Sequence, residues 1–483
     1  MPAPLLFVDN RGVAGACTAY RYQGASPAQV GDTFGVRFTT FGDVECPRHG
    51  AVQYRGNLYA LSQDGVYVKD DPTVNTGAWT QAIVFTNPIA SFPRNSGLHV
   101  VYIADAPWLV VVFGDAATST FRWAKFDGTT WTQASSGTVV TNLNNMQEVV
   151  VYRNVIHMFG HTTTSPKTIT FDPASESFAT VANDNNVSNG ENAACVFNDR
   201  LFMVYRASGP LIRLQEFTGG AWVAIPGSVP GFAPQTVTAG VAKWALFTDG
   251  TFLYGMVSAP TAAGWRCLQW DNTLGTPTDI TAAVLPAGLK AAADGGTYPG
   301  ANGTARMVAC LDQDTDPAIA DIWLFQAQDG NSGTPFALWQ WNGPAALITQ
   351  VDSGGNVGHA IPSGLNHGGE HIWTAGELDI ALTGKAAVVG GERLKWRGYG
   401  APGAADKKVK FFFNKEGEPA LLQCTLTAVT VLSGSPAGSP SVAANEVTGV
   451  DADPTVEYAA TWDIGTDGVL AGDRVQVKAQ LSI

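Results

Sequence analysis

Apolar and polar positions along this chain come in short bursts of four to eight residues, and the bursts come in sets of four. The clearest set is Glu191–Pro226. Ala193–Phe197 is small and β-branched, Asn198-Asp199 is turn chemistry, and Leu201–Tyr205 is apolar and aromatic. Ser208-Gly209-Pro210 turns the chain again. Leu211–Phe217 alternates, with Ile212 and Leu214 on one face and Arg213 and Gln215 on the other. Thr218-Gly219-Gly220 makes a tight hairpin and Trp222–Ile225 closes the set. β-Branched and aromatic content favours strands, and glycine permits the tight turns between them. A single four-stranded meander exposes two edges and cannot bury both faces, so the pattern predicts that copies stack on it.

The copies are present. Aligned on the second strand they read GNLYAL, PWLVVVFG, NVIHMFG, RLFMVYR, TFLYGMV and DIWLFQA, anchored at Leu58, Leu109, Val155, Leu201, Phe252 and Ile322. The steps between anchors are 51, 46, 46, 51 and 70 residues. A third-strand hairpin recurs as well: Phe126-Asp127-Gly128-Thr129-Thr130-Trp131, Phe171-Asp172-Pro173 leading to Phe178, Phe217 to Trp222, Trp270-Asp271-Asn272, and Trp341-Asn342-Gly343. An all-β repeat of roughly 45 residues with four strands per unit predicts a β-propeller. A β-sandwich of unrelated hairpins is the competing architecture, but sandwiches do not repeat a whole meander in phase.

The propeller is expected over residues 46–360, with six complete blades and a mixed seventh left open. Residues 1–45 carry strand-like runs (Leu5–Val8, Cys17–Tyr22, Phe34–Thr40) that match no complete repeat. They are expected to close the ring, together with Val357–Ile361. Asn183–Gly190 reads as a linker. From 370 to 483 the period vanishes. Eight short strand-like runs there, among them Leu378–Leu382, Ala386–Val389, Val409–Phe413 and Val456–Ile464, predict a separate β-sandwich or jelly roll. Ser433–Ala443, rich in Gly, Ser, Pro and Ala, reads as a flexible excursion within it. Helix periodicity is almost absent.

Composition agrees with a turn-rich β protein: 483 residues, 54 Gly, 27 Pro and 14% charged side chains. The formal charge of −13 argues against nucleic acid as the main partner. No apolar run is long enough to span a bilayer, and MPAPLLFVDNRG lacks the basic start and apolar core of a secretory signal. Cys17, Cys46, Cys195, Cys267, Cys310 and Cys424 are scattered, which favours buried free thiols over a disulfide framework or zinc site.

Candidate chemistry is sparse. His367-Gly368-Gly369-Glu370-His371 has ligand-type side chains for a metal, but not the helical spacing of a zincin. An exposed polar linker is the stronger reading. Asp312, Asp314 and Asp316 resemble the start of a calcium loop, yet Pro317 stands where that loop needs glycine. A solvated hairpin tip is favoured. Trp79, Trp131 and Trp222 recur at one blade position. If exposed they would stack on sugar rings; their repetition favours filling the wedge between blades. Glu148, Glu191 and Asp249 are carboxylates without a partner in sequence, and no serine-hydrolase elbow appears. Lys407, Lys408, Lys410 and Lys415 form the one basic patch, either a solvated strand face or a dock for an acidic partner. No catalytic set and no cofactor are expected, so the chain reads as a non-enzyme.

The hairpins of form aromatic-(Asp/Thr)-Gly-x-x-Trp, the strand RGNLYALSQDGVYV and the run KVKFFFNKEGEPALLQCTLT…EYAATWDI…GDRVQVKAQLSI resemble tailed-bacteriophage virion proteins, in which a kelch-like or WD-like propeller is joined to a β-sandwich. The resemblance implies a non-catalytic virion component of neck, tail or head decoration, made in the host cytoplasm. Its implied partners are other virion proteins, in a homo-oligomeric ring or in many copies. The alternatives are a glycan-binding propeller reading a host surface and a glycan-cleaving propeller enzyme.

Overall fold

A computed structural model of the chain describes strands and short turns within residues 5–39, 50–86, 97–139, 145–181, 187–225, 243–284, 306–352, 361–362 and 379–482, less some loop residues inside those spans. Among the described residues, seven antiparallel sheets, each with four strands in succession, make up most of the first part of the chain. Six are meanders built from consecutive strands, starting with Ala51–Tyr54, Gly97–Ile103, Asn145–Tyr152, Val187–Phe197, Lys243–Thr248 and Arg306–Asp312. These are blades one to six; in blade two, Thr138–Val139 adds a short fifth strand.

The seventh sheet is composite. Ile361–Pro362 pairs with Leu5–Asp9, which pairs with Cys17–Tyr22, which pairs with Pro27–Phe34. The ring is therefore closed by strands from both ends of the propeller segment, and its first strands lie next to one another in succession from blade one round to Ile361–Pro362.

Each blade is apolar on both sides because it is covered on both sides. In the second strand of blade two, Ala106–Asp115, Leu109, Val111 and Phe113 pack on blade one. Val110 and Val112 of the same strand pack on blade three. Similar seams join blades three to four and four to five.

The closing seam is both packed and hydrogen-bonded. Cys17, Ala19, Val30 and Phe34 bury against Ala51, Leu58, Ala60 and Trp79. Asp32 N donates to Gly77 O at 2.9 Å, and Gln63 N donates to Val36 O at 3.0 Å. The Asp64 carboxylate accepts from the Ser62 hydroxyl, from Tyr67 Oη at 3.0 Å and from Val36 N at 3.3 Å. Burial, then the Asp64 hydrogen bond, raises the Tyr67 phenol to about 12. Gly31 (φ +64°) and Gly35 (φ +53°) let this edge approach. A Cβ on Gly31 would meet Trp79 Nε1 at 2.8 Å, and one on Gly35 would meet Ser62 Cβ at 2.6 Å.

Several expectations shift. Val187–Gly190, read as linker, belongs to the first strand of blade four, which carries a register shift between Val187 and Asn192. One four-residue helix, Thr281–Val284, follows blade five. Residues 41–49 and 363–378 lie outside the described residues, Gly50 apart.

The second part is a β-sandwich. One sheet runs Asp379–Val388, Gly391–Tyr399, Glu457–Trp462, Leu426–Ser433. In the other, Lys407–Lys415 pairs with Leu422–Gln423, Glu446–Val450 and Val475–Ser482, and Ser441–Ala443 pairs with Glu446–Val450. Trp396 stacks on Tyr458 at 4.5 Å within a core that includes Phe411, Phe413 and Trp462. Two runs read as separate strands are one strand with a bulge between Leu382 and Gly384. The last three residues of Ser433–Ala443 are a strand, Ser441–Ala443, that forms a hairpin turned at Ala444 (φ +51°) and Asn445 (φ +62°). Residues 434–440 before it form no strand.

Candidate functional site

In a four-stranded meander the first and third turns lie on the same edge of the sheet, so in a ring of blades they share one face of the disc. On this face the described turns are short and hydrogen-bonded. Asp127 Oδ1 accepts from Thr129 N, Thr129 Oγ1 and Thr130 N, each at 2.7 Å. Asp172 and Asp271 form the same Asx turn in blades three and five. The Thr129 hydroxyl first, then the Thr130 and Thr129 backbone N–H groups, hold the Asp127 carboxyl below the usual range, and the Arg55 guanidinium adds to this.

Along this face a cation lies over an aromatic ring in four successive blades. Arg55 Cζ is 5.1 Å from the Tyr54 ring centre. Lys125 Nζ is 5.2 Å from Trp108 and 5.4 Å from Trp123. Arg153 Cζ is 4.8 Å from Tyr152, and Arg200 Cζ is 5.2 Å from Phe202. Such contacts contribute about 0.5–1 kcal/mol each where exposed.

Three of these cations also have a carboxylate within the same cleft. Lys125 pairs with Glu176 of the next blade at 2.6 Å and donates to Pro173 O at 3.3 Å. Arg200 grips Glu216 through Nε at 2.7 Å and Nη2 at 2.5 Å. Arg55 lies against Gly128, beside Asp127; a Cβ on Gly128 would strike the guanidinium.

The backbone here departs from what the sequence prefers. Arg55 (φ +51°), Ala104 (φ +50°) and Arg153 (φ +50°) take the left-handed conformation in the first turns, where glycine or asparagine costs less. An L-residue there costs about 1–2 kcal/mol. Strained positions of this kind concentrate where a side chain must be aimed.

In blades two and four the pairs occupy one register position. Trp108 precedes Leu109 on the second strand as Arg200 precedes Leu201, and Lys125 precedes Phe126 on the third as Glu216 precedes Phe217. The equivalent positions in blade five are Phe252 and Gln269. The apolar framework thus repeats while the half-buried rim pair changes from blade to blade.

The recurring tryptophans divide. Trp222 is buried against Phe159 of blade three and donates from Nε1 to Thr168 Oγ1 at 3.1 Å. Trp79 is buried at the closing seam and donates to Val30 O at 3.2 Å. Neither offers a free face to a sugar; each fills the wedge toward the preceding blade. Trp131 is half-buried, stacked on Phe126 with ring centres 5.0 Å apart.

Asp312 ends the first strand of blade six and stands opposite Asp321. Asp314, Asp316, His367, Glu370, His371 and Asp249 lie outside the described residues. Among the described residues no group of three or more His, Cys, Asp or Glu is placed to hold a metal. Cys17, Cys195, Cys267 and Cys424 are buried and form no disulfide. In the basic patch, Lys410 pairs with Glu446 at 2.8 Å, Lys415 donates to Gly468 O at 2.7 Å, Lys407 is buried and Lys408 is exposed.

No protein-family model matches the chain, and no curated protein matches it. Among solved structures it is similar to the SapL1 lectin in complex with α-methyl fucoside, at 14% identity over 65% of this chain and 98% of that one, with a TM-score of 0.35. It is also similar to the six-bladed propeller lectin of Aleuria aurantia, at 14% identity over 64% and 96% with a TM-score of 0.36. Similarity to the polysaccharide lyase Uly1 covers 96% and 100% at 9% identity, with a TM-score of 0.41. At these scores the likeness adds nothing to the strand order above.

Proposed function

We propose that this protein is a non-enzymatic, glycan-binding β-propeller that reads neutral sugars on the face carrying the first and third turns. The observation that supports this is the rim cleft of blade two, where Lys125 lies over the half-buried rings of Trp108 and Trp123 with Glu176 beside it. Arg55 and Arg200 repeat the cation beside a carboxylate, over rings, Tyr54 and Phe202, that are buried. A sugar has an apolar C–H face and vicinal hydroxyls that donate and accept at once. An aromatic edge flanked by a paired Lys or Arg and an Asp or Glu matches both needs. Pairing inside each cleft leaves little net charge, which favours an uncharged ligand over an anionic one. It also ties up the carboxylates of these clefts, which suits binding better than acid–base chemistry.

A glycan array with the full chain tests the reading. Specific hits are expected, and Trp108→Ala or Arg200→Ala should weaken the hits at least tenfold with the melting temperature kept within a few degrees. An array without hits, or hits indifferent to both variants, refutes it.

The two-part build supports a second reading, in which the sandwich is the mount and the propeller the presented disc of a virion component. Electron microscopy of particles from the native source, with antibody labelling of this chain, tests it. A chain recovered only free of particles refutes it.

A further inference from the structure

The sandwich carries a feature that the rim does not share. On Gly391–Tyr399, Leu394 and Trp396 point into the core, so Arg393, Lys395 and Arg397 line the outer face. Alternate residues on a strand stand about 6.7 Å apart, which makes a straight row of three cations.

The neighbours in register are small. Arg393 stands between Ala386 and Thr461, and Lys395 between Gly384 and Ala459. Beyond them come Ala428 and Thr430, both on the outer strand. On this outer face Ala459 is fully covered, Arg393, Lys395 and Thr461 are half-buried, and Ala428 and Thr430 are exposed. Arg397 has Glu457 at 3.7 Å. Among the described residues no carboxylate pairs with Lys395, and Arg393 Nε is buried without a hydrogen bond.

We infer that this row is a docking surface for an extended anionic polysaccharide, uronate- or sulfate-bearing, lying along the strand. Charge complementarity supplies the attraction. Ala428, Thr430, Ala459 and Thr461 beside the row are small, which lets an extended chain lie close. Among the described residues the face has no exposed aromatic on which bases would stack, which disfavours single-stranded nucleic acid. Nor do they include the buried aromatic anchor that a protein partner needs.

The test is binding of labelled oligogalacturonate and heparin-derived oligosaccharide to the full chain, with neutral malto-oligosaccharide and oligo-dT as competing probes. The acidic sugars are expected to bind, weakening about tenfold between about 50 and about 200 mM salt. Lys395→Glu and Arg393→Gln should each weaken binding at least tenfold, while Lys408→Glu on the other sheet changes it less than twofold. If Lys395→Glu lowers the melting temperature, Lys395→Gln decides instead. No binding at low salt, binding indifferent to Lys395, or tighter binding of oligo-dT each overturns the inference. The row lies on the sandwich and binds charge, so its failure leaves the rim reading untouched, and the reverse holds too.

Discussion

His157 shows what a single buried side chain can report. It sits on the second strand of blade three, 5.1 Å from the Phe217 ring and 5.9 Å from Tyr152, with Nδ1 lacking a hydrogen bond. Burial lowers its pKa from 6.5 to about 3. The folded ring therefore stays neutral while the unfolded ring takes up a proton near 6.5. Its contribution is complete above that pH and is lost as pH falls from 6.5 toward 3. At roughly 1.4 kcal/mol per unit, acidification to about pH 5 should remove about 2 kcal/mol. Urea denaturation at pH 7.5 and 5 reads this loss, and His157→Phe should flatten it. At this scale the sequence is only partly legible. The wedge role of Trp79 and Trp222 follows from their repetition, because large side chains at one repeated position serve the packing that repeats. Arg55 and Arg153 give no signal, since a left-handed arginine looks like any polar turn residue until its backbone is seen.

Among elements, the outer strand of the composite blade, Pro27–Phe34, leads into Gly35, which packs against Ser62. A methyl group at residue 35 has nowhere to go and the φ is already left-handed, so Gly35→Ala should cost roughly 2–4 kcal/mol. Thermal unfolding would measure it; a shift below about 0.5 kcal/mol would show that the seam gives way easily. The strands themselves can be read from sequence, but their register cannot. Opposite Phe126, Phe171 and Trp270 stand Leu109, Ile156 and Leu253. The sequence anchors at Val155 and Phe252 are therefore one residue early. Blades are apolar on both faces, so the alternation that would fix register in a half-exposed sheet is missing. Within Ser433–Ala443 composition reports turn chemistry but not that Ser441–Ala443 pairs as a strand.

For the whole molecule, the closing seam predicts how the disc opens. Removing residues 1–36 should expose Leu58, Ala60 and Ala51 and convert one cooperative transition into several, with trypsin cutting the shortened chain at least tenfold faster under native conditions. A single sharp transition in the shortened chain would mean that the six complete blades hold together alone. The mixed blade is foreshadowed by stray strands at both ends, and its pairing of Leu5–Asp9 with Ile361–Pro362 follows the rule that an unpaired meander edge needs a neighbour. That pairing also sets a schedule. On the ribosome, Leu5–Asp9 can pair on one edge with Cys17–Tyr22 soon after both are made, while its other edge waits for Ile361–Pro362, more than 300 residues later in synthesis. At about 5–20 residues per second this is a delay of tens of seconds. That open edge must be shielded for the interval, and a co-translational chaperone would find a long-lived target there.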